Sequence, residues 1–251
     1  MASVPNPKRQ QENAHSEALW QPFAHLNLRR NPFGEITHEE RGLLAIVDPV
    51  PLLQFLADDQ TTPVAIQIIA DCGRGKSSTI HALHACLQRR RPVPQAVTDL
   101  LDAPRFQTWQ HAAYYYIPQD GPHPRIDRTE GVPLLIDEAD RMRWWVRRRV
   151  LRWGLPLVLG THRDLRPLLA RHGYRVMHLP VAEWMGTERL MQILNRRISA
   201  SAIDDDHPVP SLCPRQAREL IDRHGTDIRA MESDLYDQFQ DRARDGYISI
   251  S

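Results

Sequence analysis

The stretch VAIQIIADCGRGKSSTIHALHACL, Val64 to Leu87, constrains this chain more than any other part of it. Val64 to Ala70 is apolar and rich in β-branched residues, which predicts a buried parallel strand. Ser77 to Gln88 places Ile80, Leu83 and Leu87 at helical spacing. Between them lies a turn of Asp71, Cys72, Gly73, Arg74 and Gly75. A strand, a glycine loop and a helix in this order converge backbone N–H groups and a helix N-terminus on anionic oxygens. Gly73 and Gly75 supply permissive backbone, Lys76 a compact charge for phosphate oxygens, and Ser77, followed by Ser78, a hydroxyl for Mg²⁺. Ala70 stands where such loops usually carry their first glycine. Alanine holds an extended backbone without strain, so the mechanism survives the departure.

Composition sharpens the reading of Lys76. The chain has 32 lysines and arginines, yet only Lys8 and Lys76 are lysines. Lys8 lies in a polar N-terminal stretch, leaving Lys76 as the one lysine of the expected folded region. A flexible stem with a point charge reaches phosphate where the guanidinium fork fits poorly.

With 251 residues the chain can bury a sizeable core. A formal charge of +1 gives no global field, so any basic surface must be local. No apolar run approaches the roughly 20 residues that span a bilayer, and the N-terminus lacks a signal-peptide core. Cys72, Cys86 and Cys213 show no metal-ligand spacing. These features predict a cytoplasmic protein with free thiols. Cys72 reads as a small loop residue, and His81 and His84 as packing or surface residues.

Further strands are expected at 112–118, in VPLLIDEAD, in LPLVLGTH and in YRVMHLP, with helices around them. This alternation predicts an α/β domain with a parallel sheet. From Thr187 the pattern is wholly helical. The expected organisation is a tail at 1–20, an α/β core at 21–183, a helical domain at 184–243 and a tail at 244–251. Residues 119–131 read as loop where a crossover helix would be usual.

LLIDEAD supplies the chemistry that a phosphate loop needs beside it. Asp137 would hold the Mg²⁺ shell, and Glu138 would orient and activate water as a general base.

With these motifs the chain resembles AAA+ ATPases from about Phe23 to Gln240, closest in pattern to the origin-recognition-type and transposition-helper subgroup. The resemblance implies a five-stranded parallel sheet in the order 5-1-4-3-2, a small helical lid, and ATP with Mg²⁺ between them. Thr161 in LVLGTH matches the family's sensor-1 position, with His162 the second choice. Arg229 in GTDIRAM matches the sensor-2 arginine. Arg171 in LLARHGY lies where an arginine finger acts across a subunit interface, which implies an ATP-dependent homo-oligomer; Arg163, Arg166 and Arg175 crowd the same region. In NPFGEI, Pro32 and Phe33 match a segment that packs against adenine. The missing crossover helix speaks against processive threading, and the chain reads as a minimal member.

RMRWWVRRRVLRW, Arg141 to Trp153, holds six arginines and three tryptophans in thirteen residues. Met142, Val146, Val150 and Trp153 form an apolar stripe; Arg141, Trp145, Arg148 and Arg152 share another face. That face is read either as a grip on double-stranded DNA or as a packing face toward a neighbouring subunit. Three functions stay open: an ATP-hydrolysing switch that assembles on DNA or on a partner protein, a nucleotide-binding regulatory module without turnover, and a small-molecule kinase. The position of the helical domain after the fifth strand disfavours the kinase.

Overall fold

The computed structural model describes residues 22–58, 61–71, 73–180 and 186–245. The expected N-terminal tail, Cys72, the expected boundary at 181–185 and the chain from 246 onward lie outside the described residues. The elements in chain order are α1 (His38–Leu44), α2 (Val50–Ala57), β1 (Val64–Ile69), α3 (Lys76–Leu87), α4 (Gln95–Asp102), β2 (Ala113–Tyr116), β3 (Leu134–Asp137), α5 (Trp144–Arg152), β4 (Leu157–Thr161), α6 (Arg166–Arg171), β5 (Arg175–Pro180), α7 (Thr187–Ala200), α8 (Pro214–His224) and α9 (Ile228–Asp245). Short 3₁₀ turns occupy Ala24–Leu26, Pro104–His111 and Ala139–Arg141.

All five strands are parallel, in the order β2-β3-β4-β1-β5. This is the order 5-1-4-3-2 read from the opposite edge. β1, β3 and β4 are buried on both faces, which is why they read as continuous apolar runs rather than alternating ones. On one face Ile66, Ile68, Leu135 and Val158 pack with α2, α3 and α4. On the other, Ala65, Leu134, Ile136, Leu157 and Leu159 pack with α5 and α6. Residues 117–133 contain no helix, and buried Ile117 and Ile126 pin this connection to the second layer.

A third apolar cluster lies among α7, α8 and α9, built on Leu190, Leu194, Leu220, Met231 and Leu235. Phe23, Leu28 and Phe33 belong to it. The N-terminal segment therefore packs on the helical part rather than on the sheet. Each such side chain contributes about 1.5–3 kcal/mol through burial. Backbone bonds from Arg29 N to Ser201 O and from Ile203 N to Asn27 O tie the segment down. Arg197, buried in α7, donates to the carbonyls of Pro32 and Gly34 and pairs with Glu232 at 2.5 Å.

α5 starts at Trp144, three residues later than its composition suggests. Glu138 adopts the left-handed conformation (φ 59°), a 3₁₀ turn follows, and Met142 and Arg143 are extended. Gly154, at φ 63°, ends the helical stretch. Among the described residues no helix is long and apolar enough to cross a membrane.

Candidate functional site

The glycine loop connects the C-terminal end of β1 to the N-terminus of α3. Gly75 caps α3 in the left-handed region (φ 87°), leaving the first-turn N–H groups of the helix facing outward from the loop. Ala70 is not among the residues with positive φ, and its N–H bonds to Thr161 O at 3.3 Å. A glycine is not required there. Gly73 has φ 79°, and a Cβ on it would fall 2.1 Å from Asp227 Oδ1. Asp227 accepts from the N–H groups of Arg229 and Ala230 at the start of α9, and Ile228 N donates to Gly73 O. The loop is thus pressed directly against the helical part.

Two buried ionisable residues, Lys76 and Glu138, meet half-buried His162 beside it. Lys76 is 4% exposed; its Nζ lies 2.6 Å from Glu138 Oε1 and 2.9 Å from His162 Nε2. Glu138 Oε2 lies 2.8 Å from His162 Nε2 and 3.1 Å from Arg141 Nη2. His162 is itself held by its N–H, which donates to Asp140 Oδ1 at 3.2 Å. The left-handed backbone of Glu138 costs on the order of 1–2 kcal/mol for a residue with a Cβ. That strain turns the carboxylate from the end of β3 toward Lys76, and strain of this kind collects at working sites.

Asp137 lies one residue earlier and is buried. Its Oδ1 accepts from Glu138 N at 3.0 Å, and the hydroxyls of Ser77 and Tyr114 lie beside its carboxylate. Burial holds its carboxyl above the usual carboxylate range, against the opposing pull of Ser77 and Lys76. Gly160 on β4 makes room for it: a Cβ there would lie 2.5 Å from Asp137 Oδ1 and 2.7 Å from Ile80 Cδ1. The glycine of LVLGTH is therefore a packing requirement of the acidic centre.

A cleft of about 660 Å³ opens over these groups. Gly73 to Ser78, Asp71, Glu138, Arg141 and exposed Arg229 are among its polar lining. Ile36, Ile46, Val47, Pro51 and Leu179 are among its apolar lining. Arg41 also faces it, with a buried Nε that has no hydrogen-bond partner. A smaller cavity of about 180 Å³ lies in the helical cluster, away from the glycine loop.

Several expected residues sit elsewhere. Thr161 is fully buried and does not line the cleft; its hydroxyl accepts from Gln67 Nε2 at 2.9 Å. The next residue, His162, meets Lys76 and Glu138 instead. Pro32 and Phe33 are buried in the helical cluster, with the Phe33 ring edge-on to Phe239 at 5.5 Å. The apolar wall comes instead from Ile36, Ile46 and Val47. Arg171, expected to act on a neighbouring copy and not on its own cleft, is exposed at the end of α6. Arg141 does not share a face with Trp145, because it turns inward to Glu138. Trp153 packs on the second layer with Arg149 over its ring. His81 is buried against Tyr114, with ring centroids 4.5 Å apart, in keeping with a packing role.

Sequence reasoning missed Arg41 and the apolar wall. One signal was available: Thr37 and Glu40 form a capping box that starts α1 and positions both. The interior contact of Arg141 left no such signal.

Chemically, the cleft brings together a helix N-terminus, the Lys76 ammonium, the Ser77 hydroxyl and the Glu138 carboxylate, with the Asp137 carboxylate buried next to it. No group of three His, Cys, Asp or Glu poised for a metal exists among the described residues. The Ser77 hydroxyl beside the Asp137 carboxylate still suits Mg²⁺, which takes few protein oxygens and completes its shell with phosphate and water. No protein-family model matches the chain, and no curated protein matches it.

Proposed function

We propose that this chain is a Mg²⁺-dependent ATP hydrolase of the AAA+ type that works as a switch by nucleotide-dependent self-assembly. The observation that carries this reading is the convergence of Lys76, Ser77 and Glu138 in one cleft that also has apolar lining, with buried Asp137 next to Glu138.

In this reading the amides of the 73–78 loop and Lys76 hold the phosphates, and the base lies against Ile36, Ile46 and Val47. Ser77 and Asp137 hold Mg²⁺, which when bound neutralises charge on the phosphate oxygens. An arriving phosphate competes with Glu138 for Lys76, so binding frees the carboxylate to orient water and accept its proton. His162, rather than Thr161, is the β4-end residue in reach of these groups. α7, α8 and α9 act as the lid, with Arg229 reporting nucleotide state through α9. Arg171 acts on the site of a neighbouring copy, so turnover depends on assembly.

The test is ATP binding and hydrolysis by the wild type and Glu138→Gln over a range of protein concentrations. Turnover that rises with concentration in the wild type and vanishes in the variant, with ATP binding retained, supports the proposal. Binding without turnover in either protein favours a regulatory module instead. That second reading rests on the three cationic or imidazole partners that hold Glu138. Absence of ATP binding sinks both.

A further inference from the structure

The outward face of α5 does little for the fold. Trp144 is 68% and Trp145 47% exposed, and they are two of the few large apolar side chains on the described surface. Arg143 precedes the helix without a side-chain cap, and no acidic residue occupies the first turn. Cations at the positive end of a helix oppose its dipole. Between Arg141 and Gly154 the sequence has no carboxylate at all. Among the described residues, Arg143, Arg148 and Arg152 have no carboxylate oxygen within 4.0 Å. At about 100° per residue, Trp144, Arg148, Arg152 and Trp145 fall on one arc of about 100°. Val150, on the opposite side, is buried, and so is Leu151, which borders the arc next to Trp144.

We infer that this face binds single-stranded nucleic acid, with unpaired bases stacked on Trp144 and Trp145 and phosphates paired with Arg148 and Arg152. Guanidiniums without internal partners are free to neutralise phosphates. Flat indoles facing solvent offer π-faces, which every base can use. A duplex would use the arginines but not the indoles, because its bases are already stacked on each other. The stripe therefore favours an open strand over a duplex, and it is narrower than the span from Arg141 to Trp153. From Trp144 to Arg152 it runs about 12 Å, enough for two or three nucleotides. This inference stands independently of the ATP reading.

The test uses the full chain without ATP, at about 50 mM salt. A labelled oligodeoxythymidylate of about 20 nucleotides and a duplex of the same length are titrated by fluorescence anisotropy, with tryptophan emission followed in parallel. The oligonucleotide should bind at least tenfold tighter than the duplex and quench tryptophan emission. Trp144→Ala and Trp145→Ala should each weaken binding about 5- to 150-fold, while Trp145→Phe retains most of it. Arg148→Glu with Arg152→Glu should weaken binding and flatten its salt dependence. Four results would overturn the inference: no association, equal affinity for the duplex, tryptophan variants that bind as well as wild type, or binding of anionic vesicles or an acidic peptide in place of the oligonucleotide.

Discussion

Around Glu138 every buried charge has an opposite neighbour, whereas along α5 the outward guanidiniums have none. In the first region Lys76 and Glu138 are 5% and 9% exposed at their side chains and 2.6 Å apart. In the second, Arg148 and Arg152 stand in solvent beside exposed indoles. Taking one charge out of water costs several kcal/mol, so an interior charge without a partner does not persist. A surface charge pays no such penalty and need not be paired. The contrast separates charges that the fold must satisfy from charges that are free for something outside it.

The largest expected effect breaks the buried cluster. Lys76→Ala leaves the Glu138 carboxylate enclosed with only Arg141 and His162, and should cost about 3 kcal/mol of stability. Urea titration measures this; a cost no larger than that of Arg148→Ala would abolish the contrast. Gly160→Ala drives a methyl into Asp137 and Ile80 and should destabilise by about 2 kcal/mol, seen in the same titration.

Acid should act on the buried side of that contrast and leave the guanidiniums of α5 unchanged. Burial, then the charges of His38, Arg41 and His84, lowers the His81 pKa from 6.5 to about 4. Above pH 6.5 both folded and unfolded states are neutral there. Between 6.5 and 4 the unfolded chain takes a proton that the folded chain refuses, so stability falls as pH falls, and no further below 4. Allowing for its partial solvation, the loss is about 2 kcal/mol. His81→Gln should flatten a plot of urea midpoint against pH over that window; an unchanged slope would assign the acid sensitivity elsewhere.

Asp137→Asn should have the opposite sign. A raised carboxyl pKa means that its ionised form is penalised in the folded state, so removing the charge should stabilise the fold. Thermal melting without Mg²⁺ should show the gain. On the proposed function, Mg²⁺ with ATP should further raise the melting temperature of the wild type but not that of the variant. The smallest effect belongs to the surface: Arg148→Ala with Arg152→Ala should change stability by less than about 0.5 kcal/mol. A larger loss would mean that these arginines serve the fold after all.

Much of the architecture was legible because it is encoded locally. The apolar runs at β1, β3 and β4, the glycine turn at 73–75 and the 3.6-residue spacing of α3 and α7 to α9 each occupy a short window. The expected loop at 119–131 was legible from its prolines and glycines for the same reason. The site was only partly legible. Lys76, Ser77, Asp137 and Glu138 stood out because strand ends place side chains where the sheet opens.

Thr161 and His162 show why the rest was hidden. Alternation along a strand lets one of two neighbours face Lys76, and packing chose His162 because Gln67 engages the threonine hydroxyl. Phe33 carried a turn-rich local pattern, but Phe239, more than two hundred residues away, decided its place. Arg141 was assigned to a helix face by periodicity, until the left-handed Glu138 delayed α5 and turned the arginine inward.

By itself, then, the sequence determined the glycine loop, the alternation of strand and helix, and the acidic pair at a strand end, since propensity and turn chemistry act over a few residues. Tertiary structure alone decided which groups surround Glu138, why Gly73 and Gly160 must lack a Cβ, and where the N-terminal segment packs. Those outcomes depend on contacts between residues distant in the chain, which no local spacing records.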